Sequence, residues 1–310
     1  MLSPEYLAGL LDGEGSLSLA RRYRRDRSIE YSVRVAVYNC DRLVLEAVQK
    51  SWGGHLASVG PRHPEWRAAH SLIWTNSGAA GVLRALAPHL RVKARHAAAL
   101  LRFQAHVNES VRSRDPAGRL LPITQREQRI RARFHAQLKA MNRRGSPVRS
   151  WGKSRTHLSV HEARISGEYL AGFVDAEGSL MIAKFRAASP GRWYYRARAS
   201  LDNVDGQVLR EIQRTYGGIL FRPRRRKPGW RVVYKLVWTG DRTERLLHPI
   251  LPHLRVKRKQ GELLLRFMQH RSQTSLRRVG TRATPLPDRV IALRERFHAR
   301  MRELNARGPR

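Results

Sequence analysis

Across 31–39 the chain alternates, with Tyr31, Val33, Val35 and Val37 on one side of an extended strand and Ser32, Arg34, Ala36 and Tyr38 on the other. The rhythm returns at Tyr195, Ala197, Ala199 and Leu201 against Tyr194, Arg196, Arg198 and Ser200. It appears again over 66–74 and 230–238, where Arg67, Ala69 and Ser71 match Arg231, Val233 and Lys235 on the polar side. Each strand predicts one face for a core and one that is basic, small and aromatic. Ahead of the strands the period changes. Leu7, Leu10 and Leu11 mark one face of a helix opened by Ser3 and Pro4, a good cap and first-turn pair, and closed by Gly13 and Gly15. Ser166 plays the same part before Tyr169. The coarse order is helix, two strands, helix, two strands, helix, helix, written twice.

Self-comparison supports that doubling. Tyr6-Leu-Ala-Gly-Leu-Leu-Asp-Gly-Glu-Gly-Ser16 recurs as Tyr169-Leu-Ala-Gly-Phe-Val-Asp-Ala-Glu-Gly-Ser179. Trp52-Gly-Gly54 recurs as Tyr216-Gly-Gly218, and Pro88-His-Leu-Arg-Val-Lys93 returns letter for letter at 252–257. Arg133-Phe-His-Ala136 comes back at 296–299, followed by Asn142 and Asn305. This predicts two domains, 1–145 and 166–310. Between them, 146–165 lacks apolar periodicity and reads as a linker.

Composition narrows the partner. Hydrophobic residues make up 41%, enough for two cores, yet 61 Lys plus Arg face 24 Asp plus Glu, a net charge of +37. Such an excess repels itself and calls for a polyanion. Fifty-two of the cations are Arg, whose planar fork grips phosphates and guanine edges, although a GC-rich genome produces the same bias. Cys40 is the single cysteine, which excludes an intrachain disulfide and a thiolate zinc cluster, and it is expected to be buried. No signal peptide and no membrane-length apolar run are seen. A reducing, soluble compartment is expected: prokaryotic cytoplasm beside the nucleoid, or an organelle matrix.

The repeated helix carries two oddities. Gly9 and Gly13 lie four apart, as do Gly172 and Ala176, and with Ala8 and Ala171 they clear a stripe for a close helix neighbour, expected to be the other copy. Glu14 and Glu177 sit where each helix ends, facing the negative end of its dipole at a cost of about 0.3–1 kcal/mol. A bound divalent cation would reverse that sign. Two convergent carboxylates suit a hard ion such as Mg²⁺. Asp12 and Asp175 read as structural, capping a neighbouring backbone turn.

Both segments resemble the motif that names the LAGLIDADG homing endonucleases. The resemblance covers nearly the whole chain and implies an α+β fold: two pseudo-symmetric αββαββα domains forming a DNA-binding saddle of antiparallel sheets. It implies Glu14 and Glu177 as metal ligands, with Glu in place of the commoner Asp. Lys93 and Lys257 match the basic residue that organises the cleavage water and scissile phosphate, and Asn39 and Asn203 fall near a polar position of the water network. It further implies hydrolysis of both strands of double-stranded DNA by a monomer, with short 3′ overhangs. Mg²⁺ is the expected ion, Mn²⁺ or Ca²⁺ possible substitutes, and intron RNA a possible further partner. DNA contacts are expected from Arg21, Arg34, Tyr38, Arg67 and Ser71 in the first half. The second half offers Lys184, Arg196, Arg198, Arg222, Arg224, Arg231 and Lys235.

Two other readings stay open. A maturase or transcription regulator of the same fold would bind without cutting, and a basic ribonucleoprotein component would need no paired acids.

Overall fold

The computed structural model describes residues 1–23, 29–60, 68–110, 116–117, 122–142, 164–186, 193–223, 232–274 and 286–306. They form two compact units, one ending at residue 142 and one beginning at residue 164. Unit 1 runs α1 (Pro4–Glu14), β1 (Gly15–Tyr23), β2 (Ile29–Asn39), α2 (Arg42–Trp52), β3 (His55–Val59), β4 (Ala69–Thr75), α3 (Asn76–Leu86), α4 (Ala94–Glu109) and α5 (Gln125–Asn142). Unit 2 repeats this as α6 (Gly167–Glu177), β5 (Gly178–Arg186), β6 (Trp193–Asn203), α7 (Gly206–Tyr216), β7 (Ile219–Phe221), β8 (Tyr234–Thr239), α8 (Asp241–Ile250), α9 (Arg258–Gln273) and α10 (Asp288–Asn305). The expected order holds with one correction: three helices, not two, close each unit. The turns carrying Pro88 and Pro252 divide what periodicity alone reads as one element.

Each sheet is antiparallel, ordered β1-β2-β4-β3 and β5-β6-β8-β7. The registers match: Gly15 faces Val37 and Gly178 faces Leu201, while Arg34 faces Thr75 and Arg198 faces Thr239. Tyr31, Val33, Val35 and Val37 are buried with Leu17, Leu19, Leu72 and Trp74 on the helix-covered face. Their counterparts Tyr195, Ala197, Ala199, Leu201, Leu180, Ile182, Leu236 and Trp238 are buried likewise. The α+β class implied by the resemblance is the class observed.

Local chemistry sets the joints. Ser3 Oγ accepts from Tyr6 N–H at 3.2 Å, and Ser166 Oγ does the same for Tyr169. The motif helix then passes straight into its strand. A Cβ on Gly15 would lie 2.4 Å from the Leu11 carbonyl oxygen, and one on Gly178 would lie 2.5 Å from that of Val174, so only glycine fits. Gly53 and Gly217 end α2 and α7 with φ of 65° and 68°. Trp74 Nε1 donates to the Trp52 carbonyl and Trp238 Nε1 to that of Tyr216, closing β4 and β8 onto those helix ends. Asn142 and Asn305, the last residues of α5 and α10, donate to the carbonyls of Leu17 and Leu180.

The entry to each motif helix is anchored. Trp52 Nε1 donates to the Leu2 carbonyl at 3.2 Å, and Tyr216 hydroxyl to the Ile165 carbonyl at 2.8 Å. Of the expected linker 146–165, only Arg164 and Ile165 lie among the described residues. Cys40 corrects its expectation: it sits exposed in the turn between β2 and α2.

Candidate functional site

α1 is buried from Tyr6 through Asp12 and α6 from Tyr169 through Asp175, seven consecutive positions in each. Ala8, Gly9, Ala171 and Gly172 lie within these stretches, and Gly13 and Ala176 are half-buried just beyond them. The acid follows: Glu14 and Glu177 are the last residues of their helices, Glu14 half-buried and Glu177 exposed.

Two residues earlier lies the device that fixes this end. The Asp12 carboxylate accepts three backbone N–H groups, from Arg91 at 2.7 Å, Val92 at 3.1 Å and Lys93 at 2.8 Å. These amides belong to the turn that opens α4, whose first N–H groups have no partner within the helix. In return Lys93 reaches back, its ammonium donating to the carbonyls of Leu11 at 2.9 Å and Asp12 at the end of α1. A carboxylate thus serves a helix N-terminus and a cation a helix C-terminus, both favourable in the dipole field. Unit 2 repeats the exchange: Asp175 accepts from Arg255, Val256 and Lys257 at 2.7, 3.1 and 2.8 Å, and Lys257 donates to the carbonyls of Val174 at 3.0 Å and Asp175. The letter-for-letter repeat at 88–93 and 252–257 follows from this geometry. Capping was the sequence expectation for both aspartates.

The environment is dry enough to shift titrations. Burial pushes the Asp12 carboxyl up, opposed by Lys93 and the three amides. Burial, aided by Lys93, holds His96 below its ordinary value and so neutral.

Asn39 completes the unit 1 arrangement. Its Oδ1 accepts from Asp41 N–H at 2.8 Å, which orients Nδ2 toward Glu14 Oε2 at 3.1 Å. Asn203 Oδ1 accepts from Asp205 N–H at the same 2.8 Å. Among the described residues no cluster of three His, Cys, Asp or Glu is placed to hold a metal. Each of these helix ends offers one terminal carboxylate, Glu14 or Glu177, a hard oxygen donor of the kind Mg²⁺ takes.

The remaining expected residues sort by sheet face. Arg34 and Tyr38 share the open face of sheet 1, and Arg196, Arg198 and Lys235 that of sheet 2, whereas Ser71, on the same side as Tyr38, is buried and corrects its expectation as a DNA contact. Lys235 there donates to Asp202 at 2.9 Å. Arg21 and Lys184 stand on the helix-covered side, in register with Tyr31 and Tyr195. Arg21 lies 4.8 Å over the Tyr23 ring. Lys184 donates to Glu295 at 2.7 Å, and Tyr195 hydroxyl donates to the same oxygen. Lys184 first, then Tyr195, hold the Glu295 carboxyl below its ordinary range. Arg222 is exposed just after β7. Arg67, Arg224 and Arg231 lie outside the described residues.

The open faces also present residues missing from the expected DNA contacts: Ser18, Arg22 and His55 in unit 1, and Met181, Phe185, Ile219 and Phe221 in unit 2, together with Tyr194, which the alternation had already placed on that side. Carrying the alternation of Leu17 and Leu19 two residues further would have turned Arg22, not Arg21, outward.

No family model and no curated protein matches the chain. Solved structures do. It is similar to the I-SmaMI LAGLIDADG homing endonuclease bound to cleaved DNA, at 13% identity over 99% of each chain with a TM-score of 0.67. I-SmaMI bound to uncleaved DNA target in the presence of calcium ions matches at 13% identity, 96% of this chain, 98% of that chain and a TM-score of 0.64. The LAGLIDADG meganuclease I-AabMI bound to uncleaved DNA matches at 15% identity, 96% of this chain, 98% of that chain and 0.65. The likeness is one of fold: the chain has the α+β LAGLIDADG architecture that its motifs resemble.

Proposed function

We propose that the chain is a site-specific double-stranded DNA endonuclease of the LAGLIDADG homing type, working as a monomer. The observation that carries this is the acid repeated at the end of each motif helix. Glu14 and Glu177 each end a buried helix, each fixed by the same Asp–Lys exchange, in a chain of net charge +37 where an acid near a polyanion needs a purpose. The solved structures of the same fold are described as DNA-bound endonucleases, one of them with calcium ions.

In this reading the two open sheet faces take the two halves of a long, asymmetric target. Glu14 and Glu177 would hold the divalent ion, Mg²⁺ by preference for hard carboxylates. When bound, it supplies Lewis acidity toward the phosphate and its attacking water. Asn39 sets the rotation of the Glu14 carboxylate. Lys93 and Lys257 act as positioning residues that hold each acid-bearing helix end and place positive charge beside it. The products are double-strand breaks with short 3′ overhangs.

The test is selection of cleaved duplexes from a randomised library with Mg²⁺, repeated with EDTA and with Glu14→Gln and Glu177→Gln. Cleavage should fall at least about 1,000-fold in either variant, roughly the 4 kcal/mol that one electrostatic group supplies to a transition state, while duplex affinity stays within a few-fold. Variants that cut at the parent rate overturn the assignment.

A further inference from the structure

At five matching registers the open face of unit 2 carries larger apolar or aromatic side chains than that of unit 1. In matching registers, Ser18, Arg22, Glu30, His55 and Ala57 of unit 1 give way to Met181, Phe185, Tyr194, Ile219 and Phe221. Tyr194 is 55% and Ile219 53% exposed, far too open for core residues, and Phe185 and Phe221 are exposed on the same face. Phe185 and Tyr194 sit directly opposite each other across β5 and β6, and Ile219 opposes Val237 across β7 and β8. Solvated arginines fill comparable positions elsewhere in this chain, so two apolar groups, Phe185 with Tyr194 at one end of the sheet and Ile219 with Phe221 on its edge strand, call for an occupant.

Arg196 and Arg198 share the face, which excludes an apolar protein surface as the better match and favours a polyanion that also offers apolar edges. In duplex DNA that edge is the thymine C5 methyl in the major groove. We propose that unit 2 is the thymine-reading half of the molecule. The part of the target on its open face presents thymine methyls to Ile219, Phe221, Phe185 and Tyr194, with Arg196 and Arg198 taking phosphates or guanine edges. The hydroxyl-rich face of unit 1 reads its part by hydrogen bonds instead. This rests on the endonuclease reading.

The experiment takes the duplex recovered by cleavage selection and replaces thymidine with deoxyuridine position by position, deleting the methyl while keeping base pairing. Binding is measured with Ca²⁺ in place of Mg²⁺ for the parent chain and for Ile219→Thr/Phe221→Ser, whose residues are exposed enough to change without loss of folding. In one half of the site each contacted methyl should be worth about 4-fold in affinity, the value of one buried methyl group. In the other half deoxyuridine should change affinity less than 2-fold, and the sensitive half should lose its sensitivity in the double variant. Equal or absent sensitivity in both halves, or sensitivity that survives the substitutions, overturns the proposal with the endonuclease reading intact. Tighter binding of the corresponding single strand overturns it in favour of base stacking on the aromatics. Failure to select any cleaved duplex rejects the endonuclease reading itself, and the thymine assignment with it.

Discussion

Two regions of this molecule have been copied with different fidelity. At the ends of the motif helices, Asp12 and Asp175 hold three amides each at the same 2.7, 3.1 and 2.8 Å. On the open sheet faces, matching registers hold serine against methionine, arginine against phenylalanine and histidine against isoleucine. The contrast follows from how much each position is coupled. A buried carboxylate with three donors tolerates no change in its turn without orphaning an amide, at about 1–3 kcal/mol per buried group. A side chain facing outward from a strand answers only to what lands on it.

That contrast is open to breaking. Asp12→Ala and Asp175→Ala should each cost about 3–5 kcal/mol, since each strands buried amides and a lysine that faced a charge. Urea midpoints measure this, and a difference above about 1 kcal/mol between the two would show that the copies are not energetically alike. Lys93→Met and Lys257→Met keep the aliphatic stem and remove the donor to the helix carbonyls. A smaller loss of about 1–2 kcal/mol is expected for each. If cleavage falls no further than folding does, the lysines act through the helix end alone.

The smallest effect separates the closing helices. In unit 1, Glu127 accepts from Arg131 at 2.5 Å and faces His106 at 2.9 Å, and these partners hold its carboxyl below the ordinary range against the burial that would raise it. In unit 2 the equivalent Arg294 donates to Thr274 at 3.0 Å, its Nε and His270 Nε2 are buried without a partner among the described residues, and Val290 stands at the Glu127 position. Glu127→Gln should therefore cost about 1 kcal/mol at pH 7 after solvent screening, and Val290→Glu should gain a similar amount. A depressed carboxyl contributes stability above its unfolded value near 4.5, and that contribution disappears as pH falls through the lower folded value. Parent and Glu127→Gln melting temperatures should differ at pH 7 and converge in acid; a constant gap would remove the ion pair as the cause.

How much of this was legible depended on whether a residue's role is written in local order. Strand alternation at Tyr31–Val37 and Tyr195–Leu201 and the caps Ser3 and Ser166 live within a few residues of chain, and the duplication is plain because whole segments repeat in order. The two aspartates were also read as structural caps, from their place on another part of the helix than the glutamates; their burial was not foreseen. Their donors lie about 80 residues away, and only the repeated 88–93 segment hinted at them. The third closing helix was hidden because a proline turn interrupts one apolar period without changing it. Arg21 and Lys184 were placed outward by charge, whereas strand register turns them toward α5 and α10, where Lys184 finds Glu295. The exposed Phe185, Ile219 and Phe221 of unit 2 escaped for the opposite reason: phenylalanine and isoleucine in a strand look like core until pairing assigns them a side.

The anchoring of Ile165 to Tyr216 has an engineering consequence. Since α6 starts from a moored point of its own unit, as α1 does through Leu2 and Trp52, the launch of the second acid-bearing helix is independent of the length of chain that precedes Arg164. Each acid-bearing helix is thus set on its own sheet from within its own unit, so a unit grafted from a relative should bring that alignment with it.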